Sequence, residues 1–192
     1  MARLIWSSVM AAVADGQPVD LDCGRGCIMG PVERPLFDVL GFLNEPTHVA
    51  SVATVTSRGR PALAMMWFLL EDGRLWFNSP EAQQDQPAPF LRAAGEAHDV
   101  AVMVATFDPP DDVRQFRAVG PARLEKRDVS RVRRIYERYV PEWSPSWSSH
   151  AESAKFRLWS MVPERGMAVT FPGLDDSPTC RWATEADLLA RR

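Results

Sequence analysis

The stretch His48–Asn78, HVASVATVTSRGRPALAMMWFLLEDGRLWFN, decides the fold. Val49, Val52 and Val55 with Thr54 and Thr56 favour an extended chain, because β-branched side chains lose less freedom on a pleated surface than on a helix. Ser57-Arg58-Gly59-Arg60 and Glu71-Asp72-Gly73-Arg74 then read as two glycine turns, separated by the apolar run Pro61–Leu70 and followed by Leu75–Asn78. Three strands in a meander are the expectation.

The strand texture continues beyond this stretch. Val100–Phe107 is a continuous apolar run suited to a buried strand, and Val113–Leu124 alternates between two faces. Phe156–Met161 and Met167–Phe171, around Pro163-Glu164-Arg165-Gly166, read as a last pair of strands. Between them Asp128–Tyr139 is expected to be a helix: Asp128 stands as N-cap, and Val129, Val132, Ile135, Tyr136 and Tyr139 make an apolar stripe. In the connector Ser79–Ala94 the prolines Pro80, Pro87 and Pro89 delay any helix until about Pro89, with Phe90, Leu91 and Ala94 on its apolar side. Pro141–Ser149 reads as a loop, and a short charged helix follows Thr184. Upstream, Leu4, Ile5, Val9 and Val13 suggest an amphipathic helix, Gly16–Pro31 a loop, and Pro35–Leu43 a second helical run.

The expected organisation is thus a helical extension over 1–45, a β domain over 46–172 and a C-terminal tail over 173–192. About six or seven antiparallel strands with the helices outside suggest a small barrel or sandwich.

Composition narrows the function. The 192 residues are 46% apolar and 24% charged, as in ordinary soluble globular domains. With 22 Lys plus Arg against 25 Asp plus Glu, the net charge of −3 gives no global positive field for nucleic acid or an anionic membrane. The one basic surface, Arg131, Arg133, Arg134 and Arg138, lacks interleaved stacking aromatics and has Glu125, Glu137 and Glu142 nearby, which reads as a solvated face. No apolar run approaches the roughly 20 residues of a membrane helix.

Three cysteines cannot all pair within the chain, which points to a reducing, cytoplasmic setting. Cys23 and Cys27 are spaced like half a zinc site, but Cys180 and the scattered His48, His98 and His150 supply no second pair, so no metal is expected. Nucleophile motifs and phosphate-cradling glycine patterns are absent, and the paired carboxylates Glu71-Asp72, Asp111-Asp112 and Asp175-Asp176 fall in turns.

The order Ala53-Thr54-Val55, Arg58-Gly59-Arg60-Pro61, Met66-Trp67-Phe68, Asp72-Gly73-Arg74-Leu75-Trp76-Phe77 and Val119-Gly120-Pro121-Ala122 resembles the pyridoxamine phosphate oxidase-like split-barrel superfamily of flavin and deazaflavin oxidoreductases. The resemblance covers roughly 48–127, more loosely to Phe171. It implies a mainly β fold with peripheral helices, a six-stranded antiparallel split barrel, assembled as a homodimer around FMN or coenzyme F420 at the subunit interface. The implied activity is hydride transfer between that cofactor and a small conjugated substrate, with no nucleic acid and no membrane as partner.

The resemblance places the ring against Met65, Met66 and Trp67, and the cofactor's polar tail near Phe77, Asn78, Gln83 and Gln84. Gln115 stands where FMN-binding members contact the flavin with a glutamine. A flat heteroaromatic ring is matched by an apolar strand surface with a few amides, and the same Met and Trp residues serve equally as barrel core. The chain departs from the family at the phosphate: from Leu75 to Leu91 there is no Lys or Arg, and Trp67, Gln83 and Gln84 occupy positions where members present cations. Neutral amides hydrogen-bond a phosphate without neutralising it. The alternative reading is therefore a non-catalytic split-barrel binder of heme or another apolar ligand.

Overall fold

The computed structural model describes residues 38–83, 86–109, 111–171 and 179–190. The helix and loop expected over Met1–Pro31, with Cys23 and Cys27, lie outside the described residues.

Asp38 caps a short helix, α1 (Val39–Asn44), by accepting a 2.7 Å hydrogen bond from the Gly41 amide, and α1 buries Val39, Phe42 and Leu43. Strand β1 (Ala50–Val55) pairs antiparallel with β2 (Pro61–Met66) across the Arg58-Gly59 turn, where Gly59 takes φ +72°. A second hairpin joins β3 (Leu69–Glu71) to β4 (Arg74–Pro80) through Asp72 and Gly73, both at positive φ as a tight two-residue turn demands.

The expected three-strand meander is therefore corrected to two hairpins: β2 does not pair with β4. The run Pro61–Leu70 breaks at Trp67-Phe68, where the Phe68 amide donates to the Tyr139 hydroxyl (3.1 Å), which itself bonds the His48 carbonyl (2.6 Å). A side chain about seventy positions downstream in sequence takes the backbone groups a continuous strand would have used.

After the two-residue strands β5 (Ala82–Gln83) and β6 (Gln86–Pro87), helix α2 (Pro89–Gly95) begins at Pro89, burying Phe90, Leu91, Ala93 and Ala94. Strand β7 (Asp99–Ala105) alternates strictly between buried and exposed residues, so the expectation of a wholly buried strand is corrected: Val100, Val102 and Val104 enter the core, while Met103 and its neighbours face outward. The long β8 (Arg114–Leu124) pairs with β7 on one edge; on the other it pairs first with β10 (Arg165–Thr170), then with β9 (Phe156–Met161). The change of partner falls at Gly120-Pro121. A Cβ on Gly120 would overlap the Val162 carbonyl oxygen, so the crossing requires glycine.

β9 and β10 accordingly do not form the expected last pair; β9 lies between β4 and β8, and β10 pairs with β8 and β11 (Thr179–Trp182). Pairing partners are a long-range choice that strand patterning does not encode.

Helix α3 (Val129–Glu137) carries the anticipated cap, with Asp128 accepting from the Arg131 amide at 3.0 Å. Pro141–Ser149 is not all loop, because α4 (Pro145–Glu152) starts there with Pro145 in its first turn. Thr184 caps α5 (Glu185–Leu189) in a reciprocal box with Asp187.

Seven strands run in the order β2-β1-β7-β8-β9-β4-β3, curling around Phe42, Phe68, Phe77, Phe116 and Trp159, and β2 and β4 stay unpaired with each other. This is a split barrel, mainly antiparallel β with a few helices.

One ion-pair cluster ties α1 to the β7–β8 loop: Arg114 forks onto Glu45 (2.6 and 2.9 Å) and Asp112 (2.6 and 2.9 Å). Hydrogen bonds from Arg114 hold both carboxyls below their ordinary range. A carboxyl with a lowered folded pKa contributes stability that is complete above its unfolded value, about 4, and is lost as pH falls through the folded one. The melting temperature is expected to stay level from pH 7 to 5 and to drop below pH 4, with Arg114→Met lowering the plateau and shrinking the acid drop. An unchanged acid limb in the variant would assign that drop to other carboxyls.

Candidate functional site

The split between β2 and β4 opens into a cavity of about 390 Å³. Its floor comes from Ala64 and Met66 of β2 and from Asn78, Ser79 and Pro80 of β4; Ala88, Pro89 and Phe90 close one end, and Ile135, Tyr136, Trp147, His150 and Phe156 cover it.

Local chemistry explains each placement. Residues Ala62, Ala64 and Met66 turn toward the core because side chains alternate along β2, which sends Leu63 and Met65 outward. The apolar stripe of α3 points Ile135 and Tyr136 inward. Helix α4 presents Trp147 and His150, three apart, on one face.

Aromatic packing makes the wall rigid. Trp67 stacks on Tyr139 (4.9 Å, 7° between planes) and meets Tyr136 edge-on at 5.8 Å, while His150 packs against Trp147 and Phe156 at 5.9 and 5.2 Å. Asn78 donates from Nδ2 to the Tyr136 hydroxyl at 2.8 Å, and its Oδ1 is buried with no hydrogen-bond partner among the described residues. Burial raises the pKa of Tyr136, so its hydroxyl stays protonated at neutral pH. Among the described residues, no Lys, Arg, Asp or Glu lines the cavity. Among the described residues no cluster of His, Cys, Asp and Glu could hold a metal, and no helix is long and apolar enough to cross a membrane.

Of the residues singled out from sequence, Met65, Met66, Trp67 and Asn78 come together here, with Met65 at the mouth. Phe77 does not join them: it is wholly buried in the core, stacked on Trp159 at 4.4 Å. Gln83 belongs to β5, with only its backbone described, and Gln84 lies outside the described residues. Gln115 sits on the outer face of β8, where Oε1 accepts from the Arg117 guanidinium, and it does not line the cavity.

Tyr136, Trp147, His150 and Phe156 were not singled out from sequence. The inward stripe of α3 and the Ser144-Pro145 helix start were the signals for the first three. The arginine face of α3 is spent inside the molecule: Arg131 and Arg134 pair with Glu71 (2.5 and 2.9 Å), Arg133 with Glu137 (2.7 Å), and Arg138 donates to the Leu43 and Glu45 carbonyls.

The outward face of β2 is apolar, and the sheet beyond it mixes apolar and polar residues. Leu63 and Met65 are 72% and 73% exposed, and the cross-strand row Met65, Ser51, Met103, Arg117, Met167 runs over five neighbouring strands.

A family model described as pyridoxamine 5'-phosphate oxidase matches residues 39–169. Among solved structures, the chain is similar to a heme-binding protein from Mycobacterium smegmatis, with 14% identity and a TM-score of 0.52 over 76% of this chain and 56% of that one. It therefore spans just over half the length of that protein. A heme storage protein from Vibrio cholerae is similar at 17% identity and a TM-score of 0.50, over 67% of this chain and 89% of that one. General stress protein 26 from Bacillus anthracis gives 15% and 0.50 over 76% of this chain and 96% of that one. At such identities the likeness is one of fold. No curated protein matches the sequence.

Proposed function

Because the chain belongs to the pyridoxamine 5'-phosphate oxidase family, we propose that it is a flavin- or deazaflavin-dependent oxidoreductase acting on a small conjugated substrate. The site is the cleft between β2 and β4, and the observation that carries this reading is its wall: flat aromatic and thioether surface with an amide, a phenol, a hydroxyl and an imidazole, and among the described residues no carboxylate, Lys or Arg. The ring of FMN or coenzyme F420 supplies hydride transfer when bound. The chain's own residues bind, orient and exclude water. Trp67, fixed by its stack on Tyr139, offers a flat face beside Met66; Asn78 and Tyr136 supply hydrogen bonds; Trp147 and His150 shield the cleft from solvent.

This wall fits a ring and does not fit a phosphate, since no described Lys or Arg in it neutralises one. The cofactor's charged tail therefore belongs at the mouth, where Met65 meets the outward face. The exposure of Leu63 and Met65 on the outward face of β2 favours a homodimer built by stacking the sheets' outer faces about a two-fold axis. In that dimer Gln115 and Arg117 of a second copy would supply the amide and the cation that the mouth lacks.

The cation-free wall and the His150 imidazole, a ligand type for heme iron, favour a second reading, a binder of heme or another apolar ligand. The two readings part in a turnover assay with reduced FMN or reduced F420 and a quinone acceptor. The oxidoreductase reading expects cofactor oxidation at least about tenfold faster than without protein, and slower again in Trp67→Ala. No acceleration with either cofactor would leave the binding-protein reading.

A further inference from the structure

Among the described residues, the titratable side chains that line the cleft are Tyr136 and His150. Burial holds the Tyr136 hydroxyl protonated, and its oxygen already accepts from Asn78. His150 stands differently. It belongs to the last turn of α4, is exposed to solvent, and lines the cleft as well. Its ring packs on Trp147 (5.9 Å, 61° between planes) and Phe156 (5.2 Å, 54°), two other lining residues, and its nitrogens make no hydrogen bond to a described residue. Both nitrogens are therefore left for water and for a guest. Imidazole is also the side chain that gains and loses a proton between about pH 5 and 8.

Reduction of a conjugated carbonyl creates a need for such a group. A quinone or enone that accepts a hydride becomes an oxyanion, and an anion without a partner is costly against an apolar wall. A proton that arrives with the hydride removes that cost. No Asp, Glu, Lys or Arg among the described residues lines the cleft to supply it.

We infer that His150 is the general acid of the cleft and that the substrate is a quinone or enone whose oxygen it protonates. The inference rests on the oxidoreductase reading and adds to it the source of the proton. The acceptor gains a hydride, and with it two electrons, from the reduced cofactor. The imidazolium N–H bond breaks and an O–H bond forms on the acceptor; water then returns a proton to the ring.

The test compares two flat acceptors in single turnovers of the full-length protein with reduced FMN or reduced F420. Duroquinone needs a proton beside the hydride, whereas the 10-methylacridinium cation becomes neutral on accepting a hydride and needs none. The ratio of the two rates cancels any loss of folding or cofactor binding that both reactions share. His150→Gln and His150→Ala are each expected to lower the duroquinone-to-methylacridinium ratio about thirtyfold or more. A second readout needs no turnover: carbethoxylation of wild-type protein by diethyl pyrocarbonate, followed by peptide mass. Saturating duroquinone should slow modification of His150 several-fold and leave the exposed His98 unchanged.

A ratio within about threefold of wild type in both variants would overturn the role of His150, while duroquinone reduction by the wild-type protein would leave the oxidoreductase reading standing. Equal losses with both acceptors would reduce His150 to a packing residue and overturn it too. Absence of protection at His150 would deny its contact with the acceptor. Wild-type protein that oxidises neither cofactor with either acceptor would remove the oxidoreductase reading, and this inference with it.

Discussion

Replacing Leu63 and Met65 together by glutamate is expected to turn the proposed dimer into a monomer and to weaken cofactor binding about a hundredfold. Both side chains project from the outer face of β2, mostly exposed in the single chain. In a two-fold interface each substitution meets the same surface on the other copy, so four carboxylates would be drawn into the contact. The variant keeps its fold, because neither residue contributes to the barrel interior, and its melting temperature as a monomer should lie within a few degrees of the single-chain value. Light scattering reads the assembly and equilibrium titration the affinity. A dimer that persists in the double variant would place the interface elsewhere and remove the source proposed for Arg117 and Gln115 at the mouth.

Trp159→Ala is expected to cost about 3–5 kcal/mol, the loss for a large aromatic cut out of a packed core. Trp159 is fully buried, stacks between Phe77 (4.4 Å) and Phe90 (6.5 Å), and donates from Nε1 to Ser79 Oγ at 2.9 Å. It joins β9, β4 and α2 at the centre of the barrel, so its removal leaves both a cavity and a hydroxyl without its donor. For a chain of this size the melting temperature should fall by about 10 °C or more. Urea denaturation of the variant measures the loss directly. A change under about 1 kcal/mol would mean that Phe77 and Phe90 collapse into the space and that the barrel is held by other contacts.

Much of this architecture was legible because its causes are local. Gly59 and Gly73 announce turns that need positive φ, Asp128 announces a cap, Pro89 a helix start, and the alternation of Val113–Leu124 a strand with two unlike faces. What escaped the sequence is long-range. The break at Trp67-Phe68 depends on the Tyr139 hydroxyl, and the separation of β9 from β10 depends on β8 changing partners at Gly120. A strand's pattern states which side is buried without stating whose edge it joins.

The site follows the same division. Met65, Met66, Trp67 and Asn78 were readable as one stretch of strand surface because they lie on β2, its end and β4. Phe77 and Asn78 are adjacent, so alternation sends one into the core and the other toward the cleft. His150 and Trp147 required a helix in a segment whose serines and prolines suggest a loop.

The most direct measurement is the absorption spectrum of freshly purified protein after gel filtration, alone and following separate incubation with FMN, F420 and heme. The proposed function predicts a retained flavin or deazaflavin band that co-elutes with the protein and is lost in the Leu63→Glu, Met65→Glu double variant. Protein that emerges without either band, or that retains heme alone, would contradict it.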